Sequence, residues 1–305
     1  MKQLSFYKKN GLNTDQEVFN YFMETMITTN RTWEYFINWD KVFSGADKYR
    51  NELMILNSLC ESRFPEEELK SLLKKTPDVI KVFPLLLAVR DESISLLDSS
   101  SLSHFKFYDY DFNKTPSTEK EIDFFVKFFK KSGLKNLIKS KKITNIYDYV
   151  IGVEAGLDSN GRKNRGGTIM ESLVKKMLED IYNLDDSNFT DQGTPKKVKE
   201  LWDIDLPVDK TSRRGDFIVN KNNKIYWIET NFYSAGGSKL KSTAGEYKAL
   251  YNYFKQKNVQ FIWITDGGGW KSAESAIEET FIATDYIFNL KMIQDKILDE
   301  VFSLN

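Results

Sequence analysis

The sequence predicts an α/β protein: a mixed sheet flanked by helices, preceded by a largely helical N-terminal region. Three observations carry this expectation. Two β-rich runs, Phe217 to Val219 and Ile225 to Ile228, bracket a polar turn at Asn222 and Asn223. A helical pattern from Thr168 to Asn183 precedes them, and a second one around Tyr247 to Phe254 follows. The apolar run Val259 to Ile264 then reads as a buried strand. A strand–helix–strand connection of this length is a right-handed crossover, which makes the last strand parallel to the second hairpin strand. The order helix, hairpin, helix, strand defines an αββαβ core. The expected division is a helical region over 1–145 and the core over 146–305, ending in a helical tail.

The chain has 305 residues, enough for one large domain or two modest ones with a sizeable core. Lys+Arg and Asp+Glu both number 44, so bulk charge neither favours nor excludes nucleic acid and only local patches decide. A single cysteine, Cys60, excludes a disulfide framework and a cysteine-based zinc site. A single histidine, His104, excludes a multi-histidine metal site and argues against histidine-based catalysis. Both read as bystanders. The first residues lack the apolar core of a signal peptide, and no apolar run approaches the length of a membrane span. A soluble, cytoplasmic protein is expected.

In chain order, Thr14 and Glu17 form a capping box at a helix start, and Val18, Phe19, Phe22 and Met26 recur near a 3.6-residue period. Helical character is expected to continue to about Asp98. Within it, Phe83 to Arg90 reads as a buried helix with Pro84 tolerated in the first turn. Ser99 to Pro116 reads as irregular. Thr118 and Glu121 form a second capping box, ahead of a Phe-rich face and the basic residues Lys127, Lys130 and Lys131. Such a run is read as a solvated face, with phosphate contact as the alternative.

Asp158 to Gly167 reads as a loop holding three glycines, the cations Arg162, Lys163 and Arg165, and the amides Asn160 and Asn164. Arginine can bind guanine bidentately and asparagine adenine, so Arg162, Lys163, Asn164 and Arg165 are candidate DNA contacts. The nucleotide-binding Walker pattern is absent. Glu171 has two readings: the partner of Thr168 in a capping box, or a helix carboxylate added to a metal site. Downstream, Gly236 to Lys241 leads into a helix capped by Thr243 and Glu246, and Thr265 to Trp270 ends the buried strand. A helical tail is expected from about Ala273.

The hairpin concentrates the chemistry. Asparagine tolerates positive φ, so Asn222-Asn223 suits a two-residue turn. Counting outward, Lys221 faces Lys224, Val219 faces Tyr226, and Asp216 lands opposite Glu229 on a shared face with Asn231. Two abutting carboxylates in otherwise apolar strands call for a cation between them, and oxygen ligands suit Mg²⁺. The bland alternative is an ordinary buried hairpin with a polar end. The pattern Asp216…Glu229-Thr230-Asn231 resembles the signature of PD-(D/E)xK nucleases, with asparagine in place of the usual lysine. Asn231 can orient a water but supplies no positive charge. Lys239 and Lys241 are the candidates to supply it, and Arg213, Arg214 and Lys241 join the candidate DNA contacts.

Longer runs make the resemblance specific. Residues 156–167, 229–233, 236–248 and 265–270, together with Pro84 to Asp91, resemble the DpnII/MboI family of type II restriction endonucleases. The matching segments span about residue 84 to 290. The resemblance implies the PD-(D/E)xK core and Mg²⁺-dependent cleavage of double-stranded DNA at GATC, before the G. It also implies a companion adenine methyltransferase in a restriction-modification system. A palindromic target favours a homodimer, because half-site symmetry mirrors protein two-fold symmetry. The asparagine at 231 leaves two alternatives open: a sequence-specific DNA-binding protein with weakened catalysis, or a GATC nickase of the same fold.

Overall fold

A computed structural model of the chain describes residues 3–98, 106–210 and 212–304. His104 lies outside the described residues. The chain divides into two compact units, one formed by 1–35 with 163–305 and the other by 36–162. The first unit therefore recruits the N-terminal segment, including helix α1 (Asp15–Glu24), which starts at the Thr14/Glu17 capping box. The sequence placed a boundary near 145, whereas the units part at 162/163.

Unit 36–162 is mainly helical. Its elements include α2 (Trp39–Asp47), the antiparallel pair β1 (Ser93–Leu97) and β2 (Phe107–Asp111), α3 (Glu119–Lys131) and α4 (Ile146–Ser159). The expected Thr118/Glu121 capping box opens α3, and Phe83, Phe128, Phe129 and Val150 lie in its core. Strands β1 and β2 replace the helical and irregular readings of 93–97 and 107–111. Most of their residues are exposed, so the apolar alternation that signals a strand is missing. The helix at Phe83 runs only to Leu86, not to Arg90, and Ala88 follows at φ 59°.

The other unit is built on a five-stranded mixed sheet flanked by helices, in keeping with a PD-(D/E)xK nuclease core. After helix α5 (Arg162–Asp180) come β3 (Phe189–Gly193), β4 (Gly215–Lys221) and β5 (Lys224–Phe232). Helix α6 (Ser238–Lys255) crosses to β6 (Val259–Asp266), and β7 (Ile287–Phe288) completes the order β3-β4-β5-β6-β7. The β4–β5 turn has both asparagines at positive φ, 53° and 58°, and the register pairs Lys221 with Lys224 and Val219 with Tyr226, as expected. β6 runs parallel to β5, as the crossover rule required. Trp227, Trp263 and Trp270 are fully buried in the core.

Two edge strands, β3 and β7, were not legible. β3 is short and polar, and β7 has two residues inside a stretch read as helical tail. Helix starts also moved. α5 begins at Arg162, so the expected loop over 158–167 is mostly helix, and Thr168 caps nothing: its hydroxyl donates to the Asn164 carbonyl at 3.2 Å. α6 begins at Ser238, so Thr243 lies inside the helix, its hydroxyl 2.7 Å from that of Tyr233.

Candidate active site

Strands β4 and β5 bring Asp216 and Glu229 to one end of the hairpin. The ladder pairs Phe217 with Ile228, and one further step places Asp216 across from Glu229. Asp216 Oδ2 accepts hydrogen bonds from the Thr230 backbone N–H at 2.7 Å and the Thr230 hydroxyl at 2.9 Å. Glu229 is only 8% exposed. Its Oε1 accepts from the Trp227 indole at 2.6 Å and its Oε2 from the Tyr247 hydroxyl at 3.2 Å.

Burial disfavours charge on both groups. It raises the Asp216 pKa, which the Thr230 bonds and Arg214 partly offset. Burial, followed by the neighbouring Asp216 charge, pushes Glu229 up to about 8. Near neutral pH the pair therefore holds a proton between the two strands. Two adjacent carboxyls with raised pKa values mark a candidate functional site, and a bound cation would displace the proton they hold.

Glu171 comes from α5 and accepts from the Gln192 amide at 2.7 Å. Its pKa is raised by burial and then by Asp216, so its carboxylate senses the hairpin pair. The capping reading is removed by the earlier helix start. Among the described residues no group of three or more His, Cys, Asp or Glu side chains is arranged to hold a metal ion. Asp216 and Glu229 bring two carboxylates together at the end of the hairpin. This hard-oxygen pair fits Mg²⁺, which takes one or two carboxylates and completes its shell with water and phosphate oxygens.

Asn231 is tied to the parallel neighbour. Its Oδ1 accepts from the Trp263 indole at 3.1 Å and from the Thr265 hydroxyl at 2.6 Å. With the oxygen engaged, the amide NH₂ is the group left to act on a ligand. Lys239 and Lys241 are both exposed in the first turn of α6 rather than on a glycine-rich loop.

The basic candidates separate. Arg213 is engaged by Asp209, at 2.7 and 2.5 Å, and by Glu246 at 3.6 Å, while its charge favours ionised Glu229. Arg214 is exposed, and its charge favours the ionised forms of Asp216 and Glu171. Lys210, Arg213 and Arg214 line an open cleft of about 480 Å³ together with Thr194, Ser212 and Glu246. Arg162, Lys163, Asn164 and Arg165 form the first turn of α5, with Asn164 exposed. The Arg165 Nε donates to the Tyr35 carbonyl at 2.8 Å, a bracing contact for the N-terminal segment.

Sequence reasoning missed Tyr247, Trp227, Thr230 and Gln192 as the groups that hold the carboxylates. The sequence marks Tyr247 only as part of a helical pattern. The available signal was a polar-tipped ring aimed at a sheet face carrying two acids, since a buried phenol needs a partner.

The sequence profile of the DpnII restriction endonuclease family matches residues 18–300. The chain belongs to the DpnII restriction endonuclease family. It is 45% identical over 294 residues to the type II restriction enzyme MjaIII of Methanocaldococcus jannaschii, covering 93% of this chain and 99% of that one. It is 34% identical to the type II restriction enzyme DpnII of Streptococcus pneumoniae, covering 92% and 96% of the two chains. For the type II restriction enzyme MboI of Moraxella bovis the identity is 32%, with 89% and 92% covered. No solved structure matches. As a member of this family, the protein is a type II site-specific deoxyribonuclease of a restriction-modification system, acting on double-stranded DNA. Among the described residues no helix is long and apolar enough to cross a membrane.

Proposed function

We propose that the protein hydrolyses double-stranded DNA at GATC, 5′ of the G, with Mg²⁺ held by Asp216 and Glu229. The observation that carries this reading is the carboxylate pair at the β4–β5 end, Glu229 buried and Asp216 half-buried, held by Thr230, Trp227 and Tyr247. Bound there, Mg²⁺ would lower the pKa of an attacking water and stabilise charge on the phosphate.

The chain's own residues do the rest. Trp227 and Tyr247 fix the Glu229 oxygens, and Thr230 fixes Asp216, so that the donors are organised before DNA arrives. Asn231 offers its amide N–H₂ where related nucleases carry lysine. Positive charge comes from Lys239, Lys241 and Arg214, and Glu171 adds an outer carboxylate that orients water. Arg162, Lys163, Asn164 and Arg213 contribute to DNA binding. The target sequence follows the family resemblance, and its palindromy supports a homodimer. The enzyme works in the cytoplasm, beside an adenine methyltransferase that protects host sites.

Plasmid lacking adenine methylation, incubated with Mg²⁺ and sequenced at its ends, tests the reading. Discrete fragments beginning at GATC are expected, while Asp216→Asn and Glu229→Gln should lose cleavage at least a thousandfold and stay folded. Open circles alone would indicate a nickase. An intact but gel-shifted plasmid would indicate a binder, the outcome favoured by the asparagine at 231. Near wild-type cutting by either variant would remove the hairpin from the mechanism.

A further inference from the structure

The helical unit contains a cavity of about 460 Å³ that the cleavage site does not use. Its size lies in the range of sites that enclose a small organic ligand. Pro84, Leu85, Val89 and Phe112 give it apolar walls. Into the same cavity come the carboxylate of Glu154, from α4, and the guanidinium of Arg90. Glu154 is 4% exposed, and its Oε2 accepts a hydrogen bond from Arg90 Nη2. The Arg90 side chain is 45% exposed. Gly45 of α2 presents bare backbone to this carboxylate, because a Cβ there would stand 3.1 Å from Glu154 Cδ. Lys41, Lys48 and Lys81 also line it, as do Asp91 and Glu92, with Lys41 paired to Asp158 and Lys81 to Asp78.

A carboxylate this deep, paired with one half-exposed cation, costs stability relative to an apolar residue of similar size. Its place beside the apolar wall of an open cavity argues for a ligand. The adjacent donor and acceptor select the ligand's edge. Guanine places its O6 acceptor beside two donors, N1–H and N2–H, which match Arg90 and Glu154 in that order. A carboxylate accepts hydrogen bonds, and that of Glu154 has lone pairs left beyond the one that Arg90 uses. Adenine and cytosine bring a single exocyclic donor beside a ring acceptor, which would face the carboxylate unfavourably. Thymine flanks its one N–H with carbonyls. The lysines supply charge for a phosphate.

We infer that this cavity is a guanine-nucleotide site, with Glu154 and Arg90 reading the base and the lysines holding the phosphate. The guanine arrives either as a free nucleotide or as a base swung out of bound DNA, since enzymes that read extruded bases do so by hydrogen bonds to this edge and by apolar contact. The inference does not depend on the roles given to Asp216 and Glu229.

Calorimetric titration of the full chain with dGMP, dAMP, dCMP and TMP tests the free source. A guanine-containing duplex carrying 6-methylisoxanthopterin, a fluorescent guanine analogue with the same hydrogen-bonding edge, tests the other in metal-free buffer. Saturable dGMP binding at least tenfold tighter than the other nucleotides, or a rise in analogue fluorescence on binding, is expected. Glu154→Gln and Ser44→Trp should each abolish that signal at least tenfold. Ser44 is exposed on the cavity rim, so its substitution fills the space without touching the core and covers the case in which Glu154→Gln fails to fold. Absence of both signals, or signals unchanged in Ser44→Trp, would overturn the assignment.

Discussion

Glu229 is where residue chemistry can be read in solution. Its folded pKa of about 8 lies above the ordinary carboxylate value of 4.5, chiefly through burial. A folded pKa raised above the unfolded one means that the native state binds the extra proton. The associated stability is fully present below about pH 4.5 and is lost as pH rises through about 8. The metal-free protein should thus lose stability on the order of a few kcal/mol across that window. Glu229→Gln should flatten the profile, most clearly between about pH 6.5 and 8, above the range of Asp266 at about 6, while the raised Asp216 and Glu171 carboxyls are common to both proteins. Urea unfolding in EDTA at several pH values measures this, and parallel profiles for the two proteins would refute it. Mg²⁺ reverses the sense, because the metal must displace the proton, and its affinity should climb with pH over the same range.

Asn231 carries the second test at this scale. Its Oδ1 already accepts from Trp263 and Thr265. Asn231→Asp keeps those acceptor roles but removes the NH₂ and adds negative charge beside two acids. Losing a donor to a developing negative charge costs roughly 10²–10³ in rate. Cleavage by Asn231→Asp should fall by about that factor, with folding preserved, in single-turnover assays. Activity close to wild type would mean that position 231 only positions a water through its oxygen.

Among the elements, the hairpin was legible and the start of α5 was not. A strand's period of two and a turn that wants positive φ define the β4–β5 register without help from the rest of the chain. The start of α5 lies in a glycine-rich run that local propensity assigns to a loop, yet Gly166 and Gly167 sit within the helix. A Cβ at Gly167 would meet nothing within 4 Å, so packing does not require glycine there. Replacing it with alanine should stabilise the helix by about 0.5–1 kcal/mol. If its bare backbone serves close approach to DNA beside Arg165, Gly167→Ala should also weaken DNA binding severalfold. A gel-shift titration alongside thermal unfolding separates the two effects. Higher stability with unchanged affinity would leave this turn without a role in DNA contact. The carboxylate-holding groups were illegible for a related reason: Tyr247 and Gln192 meet Glu229 and Glu171 only through tertiary packing.

For the molecule as a whole, the least legible feature is the return of the first 35 residues to the sheet unit, which no local pattern encodes. Side chains distant in sequence secure it. Asp266, fully buried at the end of β6, accepts from the backbone N–H groups of Ile27 at 2.7 Å, Gly267 at 2.7 Å and Leu290 at 2.9 Å. The turn that follows needs glycine, because Gly267 has φ 108° and a Cβ there would stand 2.3 Å from the Tyr233 carbonyl oxygen. Asn289 adds its amide to the Phe22 carbonyl and the Thr25 hydroxyl, both at 2.7 Å. Beyond this clip the segment reaches α5, where Asn30 donates to the Gly166 carbonyl at 2.7 Å and Tyr35 receives Arg165. The motif that looked like a strand-ending loop is therefore a clasp between the sheet and the brace of the basic helix start. Asp266→Ala strands the buried N–H donors of Gly267 and Leu290 and frees the part-buried one of Ile27; at about 1–3 kcal/mol for each buried donor left unsatisfied, the loss is on the order of 2–6 kcal/mol. Asp266→Asn retains an acceptor oxygen and should lose less. The first proteolytic cut in Asp266→Ala should fall in the segment around Ile27, and DNA affinity should drop with it, because the bracing of Arg165 loosens. A loss below about 1 kcal/mol on denaturant unfolding, or first cuts in the same places as in the wild type, would show that the N-terminal segment is held by its apolar contacts alone.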